Sequence, residues 1–163
     1  MEKKLDSIFI DLLESTFEES IVFTVISELK KNLQKLKPQF IVTSYRLDKT
    51  DLTIELENIN DSEWLMDIHL NQKSLEFILK SIEFEMFFDS RDLIIDYINL
   101  TKAFFKGEYK VISYRKNGQS FGNCIAWNDD LLSSYNQKFK HFRLLPNKLE
   151  IDKTIRTGLD LID

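Results

Sequence analysis

The chain has 163 residues, 43% of them hydrophobic and 12% aromatic, and carries a formal net charge of −5 at pH 7. That is enough apolar material for one domain's core and excludes a disordered chain, while thirteen Phe against four Gly and two Pro exclude folds built on glycine-rich phosphate loops. The single cysteine, Cys124, excludes an internal disulfide, and Met1-Glu2-Lys3-Lys4-Leu5-Asp6 lacks the apolar run of a signal peptide, so the expectation is a soluble cytoplasmic protein.

Residues 1–37 read as a helical arm. Leu5, Phe9, Leu12 and Leu13 are spaced three or four apart, and Ile21, Val22, Val25, Ile26, Leu29, Leu33 and Leu36 continue that spacing until Pro38. Capping-box patterns at Ser15-x-x-Glu18 and Thr16-x-x-Glu19 allow one helix or two. From 38 to 88 the period changes to two. Leu52, Ile54 and Leu56 interleave with Thr53, Glu55 and Glu57; Trp64, Met66, Ile68 and Leu70 interleave with Leu65, Asp67 and His69; Ile82, Phe84 and Met86 interleave with Glu83 and Glu85. Short turn signals at Asp48–Asp51, Asn58–Asp61 and Asn71–Ser74 make this an antiparallel meander of three or four strands with one apolar and one acidic face.

A second helix follows over 89–107. Asp89 or Ser90 is the expected N-cap, Leu93, Ile94, Tyr97, Ile98, Thr101, Phe104 and Phe105 form its buried stripe, and Gly107 is the expected C′ residue. Asn117-Gly118 between two strand-like runs predicts a hairpin over 108–128, with Tyr114 facing Phe121 and Val111 facing Cys124. The small residues Gly122, Cys124 and Ala126 fall on one side of it. Over 129–163, Asp129 or Asp130 caps a helix carrying Leu131, Leu132, Tyr135 and Phe139, and the remainder is irregular. The expected fold is therefore α+β in a single domain, residues 1–163: an antiparallel meander sheet with an N-terminal helical arm, a central helix, a β-hairpin and a C-terminal helix packed on one sheet face.

Charge is unevenly spread. Asp51 to Asp96 holds twelve carboxylates against Lys73, Lys80 and Arg91, a local balance of −9, while nineteen bases and fifteen acids elsewhere leave +4. Such a pole repels nucleic acid and attracts basic proteins. The opposite pole, Lys138 to Arg156, includes Lys138-Phe139-Lys140-His141-Phe142-Arg143, whose alternation of bases and rings suits phosphates and bases. An isoelectric point near 5.2 weighs against nucleic acid as the partner.

No catalytic constellation stands out. His69 and His141 belong to no spaced ligand pattern, so no metal or other cofactor is expected. Cys124 reads as a small buried hydrophobe. Glu55 with Glu57, and Glu83 with Glu85, lie two apart on strands and could bind a cation or pair an acid with a base, but such a site needs burial or a cleft and an alternating strand places them in solvent instead. The order helix, meander, helix, hairpin, helix resembles, over about Pro38 to Phe142, the class I secretion chaperones, in which helices pack on one face of a curved antiparallel sheet. In size, acidity and lack of catalytic residues the chain also resembles the small immunity proteins that neutralise bacterial toxins. Those resemblances imply a non-enzymatic module that sequesters or escorts a more basic protein, a toxin or effector.

The residues expected to meet that partner are Glu55, Glu57, Asp67, Glu83 and Glu85. The alternative is a ligand-binding protein or simple hydrolase with a pocket between sheet and helices, lined by Phe84, Phe88, Tyr97, Phe104 and Trp127. The hairpin offers apolar residues on both faces, so a homodimer is also expected, with Tyr109, Tyr114 and Phe121 at its interface.

Overall fold

A computed structural model of the chain describes residues 20–48, 51–79, 82–87, 94–116, 119–136 and 152–163. Helix α1, Ser20–Leu33, buries Val22, Val25, Ile26, Leu29 and Leu33, the three-and-four spacing of the sequence, despite its β-branched residues. The apolar spacing runs on to Leu36, but the helix does not. Lys37 precedes Pro38, which disfavours helical backbone, and the chain turns with the Phe40 amide donating to the Lys37 carbonyl at 2.9 Å. Leu36 instead bridges Ile162 near the other end of the chain. The rest of the expected arm, 1–19, lies outside the described residues, as do Phe88 and the expected N-cap positions Asp89 and Ser90.

Five strands form the first sheet, in the order β1 (Phe40–Asp48), β2 (Asp51–Asn58), β3 (Asp61–Leu70), β4 (Ser74–Leu79) and β5 (Ile82–Phe87), each antiparallel to its neighbours. The meander is thus longer than the three or four strands of the sequence reading. The extra strand arises because Ser74–Leu79 reverses into Ile82–Phe87 through residues 80–81, which carry no Gly, Pro, Asn or Asp to mark a turn. At the preceding turn the signal is chemical: Asn71 Oδ1 accepts from the amides of Lys73 and Ser74 at 2.7 and 2.9 Å. A bulge at Thr43, between the pairs Val42↔Leu56 and Ser44↔Glu55, switches the parity of the edge strand β1.

Helix α2, Ile94–Phe105, ends in a Schellman motif: the Gly107 amide donates to Phe104 O at 3.1 Å and the Glu108 amide to Ala103 O at 2.9 Å. Gly107 has φ of 65°, as the C′ position requires. The second sheet has the order β7 (Gln119–Trp127), β6 (Tyr109–Lys116), β8 (Asp152–Thr157). Its hairpin register differs from expectation. Tyr114 pairs with Gly122, Val111 with Ile125 and Ile112 with Cys124, because Phe121 is an extra residue that shifts every later pair by one.

The tail also departs from the reading. Asp130–Tyr135 is a short 3₁₀ helix capped by the Asp129 side chain, and its three-residue period buries Leu132 while leaving Leu131 82% exposed. The end of the chain, expected to be irregular, is strand β8 followed by an extended strap, 158–163. The strap binds elements far apart in sequence: the Gly158 amide donates to Tyr109 O, the Leu161 amide to Phe105 O, the Lys37 amide to Leu161 O and the Asp163 amide to Lys35 O.

One continuous core joins these parts. Leu52, Ile54, Leu56, Met66, Ile68, Leu70, Leu75 and Phe77 face α1, α2 and the inner side of the second sheet. At its centre the rings of Phe77 on β4, Phe104 on α2 and Tyr109 on β6 form a triple stack, with centroid separations of 4.1 and 5.1 Å, and Phe84 meets Trp127 edge-on at 4.8 Å. No helix among the described residues is long and apolar enough to cross a membrane.

Candidate functional site

Alternation in β2 sends Leu52, Ile54 and Leu56 inward and leaves Thr53, Glu55 and Glu57 on the other face of the first sheet. In the same way β3 turns Asp67 and His69 outward and β4 turns out Glu76 and Ile78, opposite in direction to the buried Met66, Ile68, Leu70, Leu75 and Phe77. Strand register then stacks them into two rows. One runs Ser44, Glu55, Asp67, Ile78, Glu83, and the next runs Arg46, Thr53, His69, Glu76, Glu85. Glu57 lies beside the first row, opposite Leu65. All five carboxylates expected to meet a partner are therefore brought together by register. For Glu83 and Glu85 that register is the whole description, since their side chains lie outside the described set.

The sequence reading missed Glu76 and Ser44. Its signal was present in Leu75-Glu76-Phe77, but Ile78 breaks the alternation of a six-residue strand.

The face is built to carry negative charge at some cost. Glu55 sits directly across from Asp67, and like charges at paired positions repel. Ser44 Oγ donates to Glu55 Oε2 at 2.6 Å, which holds one of the two carboxylates in place. His69 Nδ1 lies 3.4 Å from Glu76 Oε2. Asp67 Oδ1 is buried without a hydrogen-bond partner. An acceptor-rich surface of this kind binds ammonium and guanidinium groups, and Arg46 is the one Lys or Arg position in either row. Among the described residues no three His, Cys, Asp or Glu side chains converge as metal ligands.

Elsewhere, the other candidates resolve into structure. Phe84, Tyr97, Phe104 and Trp127, expected as pocket lining, are core residues packed within the chain. Tyr109 is 2% exposed, with its ring between Phe104 and Trp127, so its expected place at a dimer interface is corrected: the ring is consumed by the protomer's own core. Tyr114 is half-buried on the outer face of the second sheet, and the Phe121 side chain lies outside the described set. His141 and the Lys138–Arg143 alternation lie outside the described residues.

Cys124 is buried, and burial pushes its thiol above the ordinary value of 9.0, which disfavours the thiolate a nucleophile needs. Burial likewise raises the Tyr109 phenol above 10.0, while the backbone hydrogen bond with Leu159 works in the opposite direction. Both folded-state values exceed the unfolded ones, so the associated stability is complete below the unfolded values and is lost as pH rises through the folded ones. Thermal unfolding against pH should show a fall in stability above about pH 9 to 10. Tyr109→Phe should flatten the part of that fall above pH 10, and an unchanged slope would show that Tyr109 is not responsible.

Set against family models, curated proteins and solved structures, the chain matches none of them.

Proposed function

We propose that this chain is a non-enzymatic binding module whose acidic sheet face takes up a more basic protein, in the manner of an immunity protein or an escort chaperone. The observation behind this reading is the register that collects Glu55, Asp67 and Glu76, with Glu57 beside them and Glu83 and Glu85 next in line, on a sheet whose opposite face carries the buried Leu52, Ile54, Leu56, Met66, Ile68, Leu70, Leu75 and Phe77. Carboxylates so placed act over distance as a steering field and at contact as acceptors for Lys and Arg at an interface rim. No step of chemistry is required of them.

The test uses the triple variant Glu55→Lys, Glu57→Lys, Asp67→Lys. Proteins retained from a cell extract by the immobilised wild-type chain at low salt are eluted with salt, and the association rate of the main eluted protein is measured with both chains. The expected result is a rate roughly ten- to a hundredfold slower for the variant at low salt, with a flattened salt dependence. An unchanged rate would reduce the face to a solvated surface.

A further inference from the structure

We propose that β8 is a dimerisation strand, pairing antiparallel with β8 of a second copy about a two-fold axis through Thr154. All six residues of Asp152–Thr157 are exposed, yet the strand is regular and pairs with β6 without a bulge. Its other edge meets no strand among the described residues. Edges of this kind are normally blunted by charged side chains, proline, a bulge or a covering element; β8 contains neither proline nor bulge, and its charges, Asp152, Lys153 and Arg156, are of both signs.

The backbone already points the right way. The Gly158 amide donates to the Tyr109 carbonyl at 2.7 Å, one step beyond the pair Lys110↔Thr157. In an antiparallel ladder the hydrogen-bonding pairs alternate, so Arg156, Thr154 and Asp152 direct their N–H and C=O groups to β6. Lys153, Ile155 and Thr157 direct theirs to the open edge. A second copy of β8 can satisfy these groups only in registers that pair outward residues with outward residues.

Charge selects among those registers. Centring the axis on Lys153 sets that lysine against the partner's Lys153, and centring it on Ile155 leaves Arg156 diagonal to the partner's Arg156 with no opposite charges directly opposed. Centring it on Thr154 opposes Asp152 to the partner's Arg156, and Arg156 to the partner's Asp152. Lys153 then exchanges both backbone hydrogen bonds with the partner's Ile155. Thr154 meets the partner's Thr154 at a non-hydrogen-bonded position, where side chains stand closest. Ile155, 58% exposed in one protomer, comes diagonal to the partner's Ile155, and Lys153 diagonal to the partner's Lys153, a repulsion offset by the two directly opposed Asp152–Arg156 pairs. Of these three registers only this one sets opposite charges of Asp-Lys-Thr-Ile-Arg directly across from each other. Strand pairing of this length buries little surface, so the dimer is reversible and concentration-dependent.

Sedimentation of the full chain over a wide dilution series tests this. The mass should rise with concentration from 19.4 kDa towards twice that value. Ile155→Pro removes an N–H that points away from β6, so the fold should persist by circular dichroism while the mass stays at that of one chain. Arg156→Asp should weaken association about tenfold or more, and adding Asp152→Arg should restore it. Under mild oxidation Thr154→Cys should cross-link to a second copy, because paired Cα atoms about 4.5 Å apart at such positions suit a disulfide; Lys153→Cys should not. A wild-type mass of one chain at every concentration would leave the edge to another protein's strand and overturn the proposal. So would association that survives Ile155→Pro, or cross-linking that favours Lys153→Cys.

Discussion

Replacing Phe104 with alanine is expected to cost about 3–5 kcal/mol of stability. The reason is its position. Phe104 projects from α2 with one ring face on Phe77 of the first sheet, at 4.1 Å and 14° between planes, and the other on Tyr109 of the second sheet, at 5.1 Å and 11°. Removing it deletes the middle layer of the stack that joins the two sheets, and neither neighbour can close the gap without leaving its own strand. Phe104→Leu keeps much of the volume while losing the ring stacking, and should cost appreciably less. Urea unfolding of both variants gives the comparison, with an unchanged m-value showing that two-state behaviour is retained. A loss below about 1 kcal/mol for the alanine variant would mean that the sheets are held together elsewhere.

The parts of this architecture that could be read from the chain are those where burial is one-sided. Leu52, Ile54 and Leu56 alternate with Thr53, Glu55 and Glu57 because one face of β2 meets the core and the other meets solvent, so the pattern records the environment directly. The acidic face was readable for the same reason, residue by residue, although its cross-strand neighbours Ser44 and Glu76 needed the register. Where burial is not one-sided the pattern fails. Strand β8 buries neither face, and Asp152–Thr157 consequently carries no apolar alternation. The strap 158–163 buries Leu161 and Ile162 through backbone bonds to Phe105 and to the Lys35–Lys37 segment, partners far away in sequence that no local period encodes.

Register is the other blind spot. The hairpin β6–β7 was legible as a hairpin from Asn117-Gly118, but a single extra residue at Phe121 moved Tyr114 onto Gly122. A one-residue bulge leaves no mark on a hydrophobic pattern unless its neighbours are known. Gly122, with φ of 154°, is the nearest local trace of it. Tyr109 and Tyr114 separate for a simpler reason: they lie five apart on β6, so alternation sends Tyr109 into the core and leaves Tyr114 on the outer face.

The second large effect is expected where the strap crosses the end of α2. A Cβ placed on Gly158 would lie 2.7 Å from the Gly107 carbonyl oxygen and equally close to two ring carbons of Tyr109. A Cβ on Gly107 would lie 2.7 Å from the Asp160 amide nitrogen and from the Leu159 carbonyl carbon. The obstructing atoms are backbone and a buried ring, so neither can swing aside. Gly107→Ala meets this clash in addition to its left-handed φ of 65°, and the two penalties together come to about 2–5 kcal/mol. Gly107→Asn separates them, because asparagine tolerates that φ but still carries a Cβ; it should recover little of the loss. Gly158→Ala meets the clash alone and should cost about 1–3 kcal/mol. The damage should be localised first at the strap, whose release frees the Lys37–Asp160 ion pair at 2.6 Å and exposes Leu161 and Ile162. Native-state hydrogen exchange reads this directly, since the amides of Lys37, Leu161 and Asp163 are hydrogen-bonded only through the strap. In both alanine variants those three should exchange faster than the amides of β2 and β3; equal protection across all of them, with stability unchanged, would show that the strap can shift to accept a methyl group.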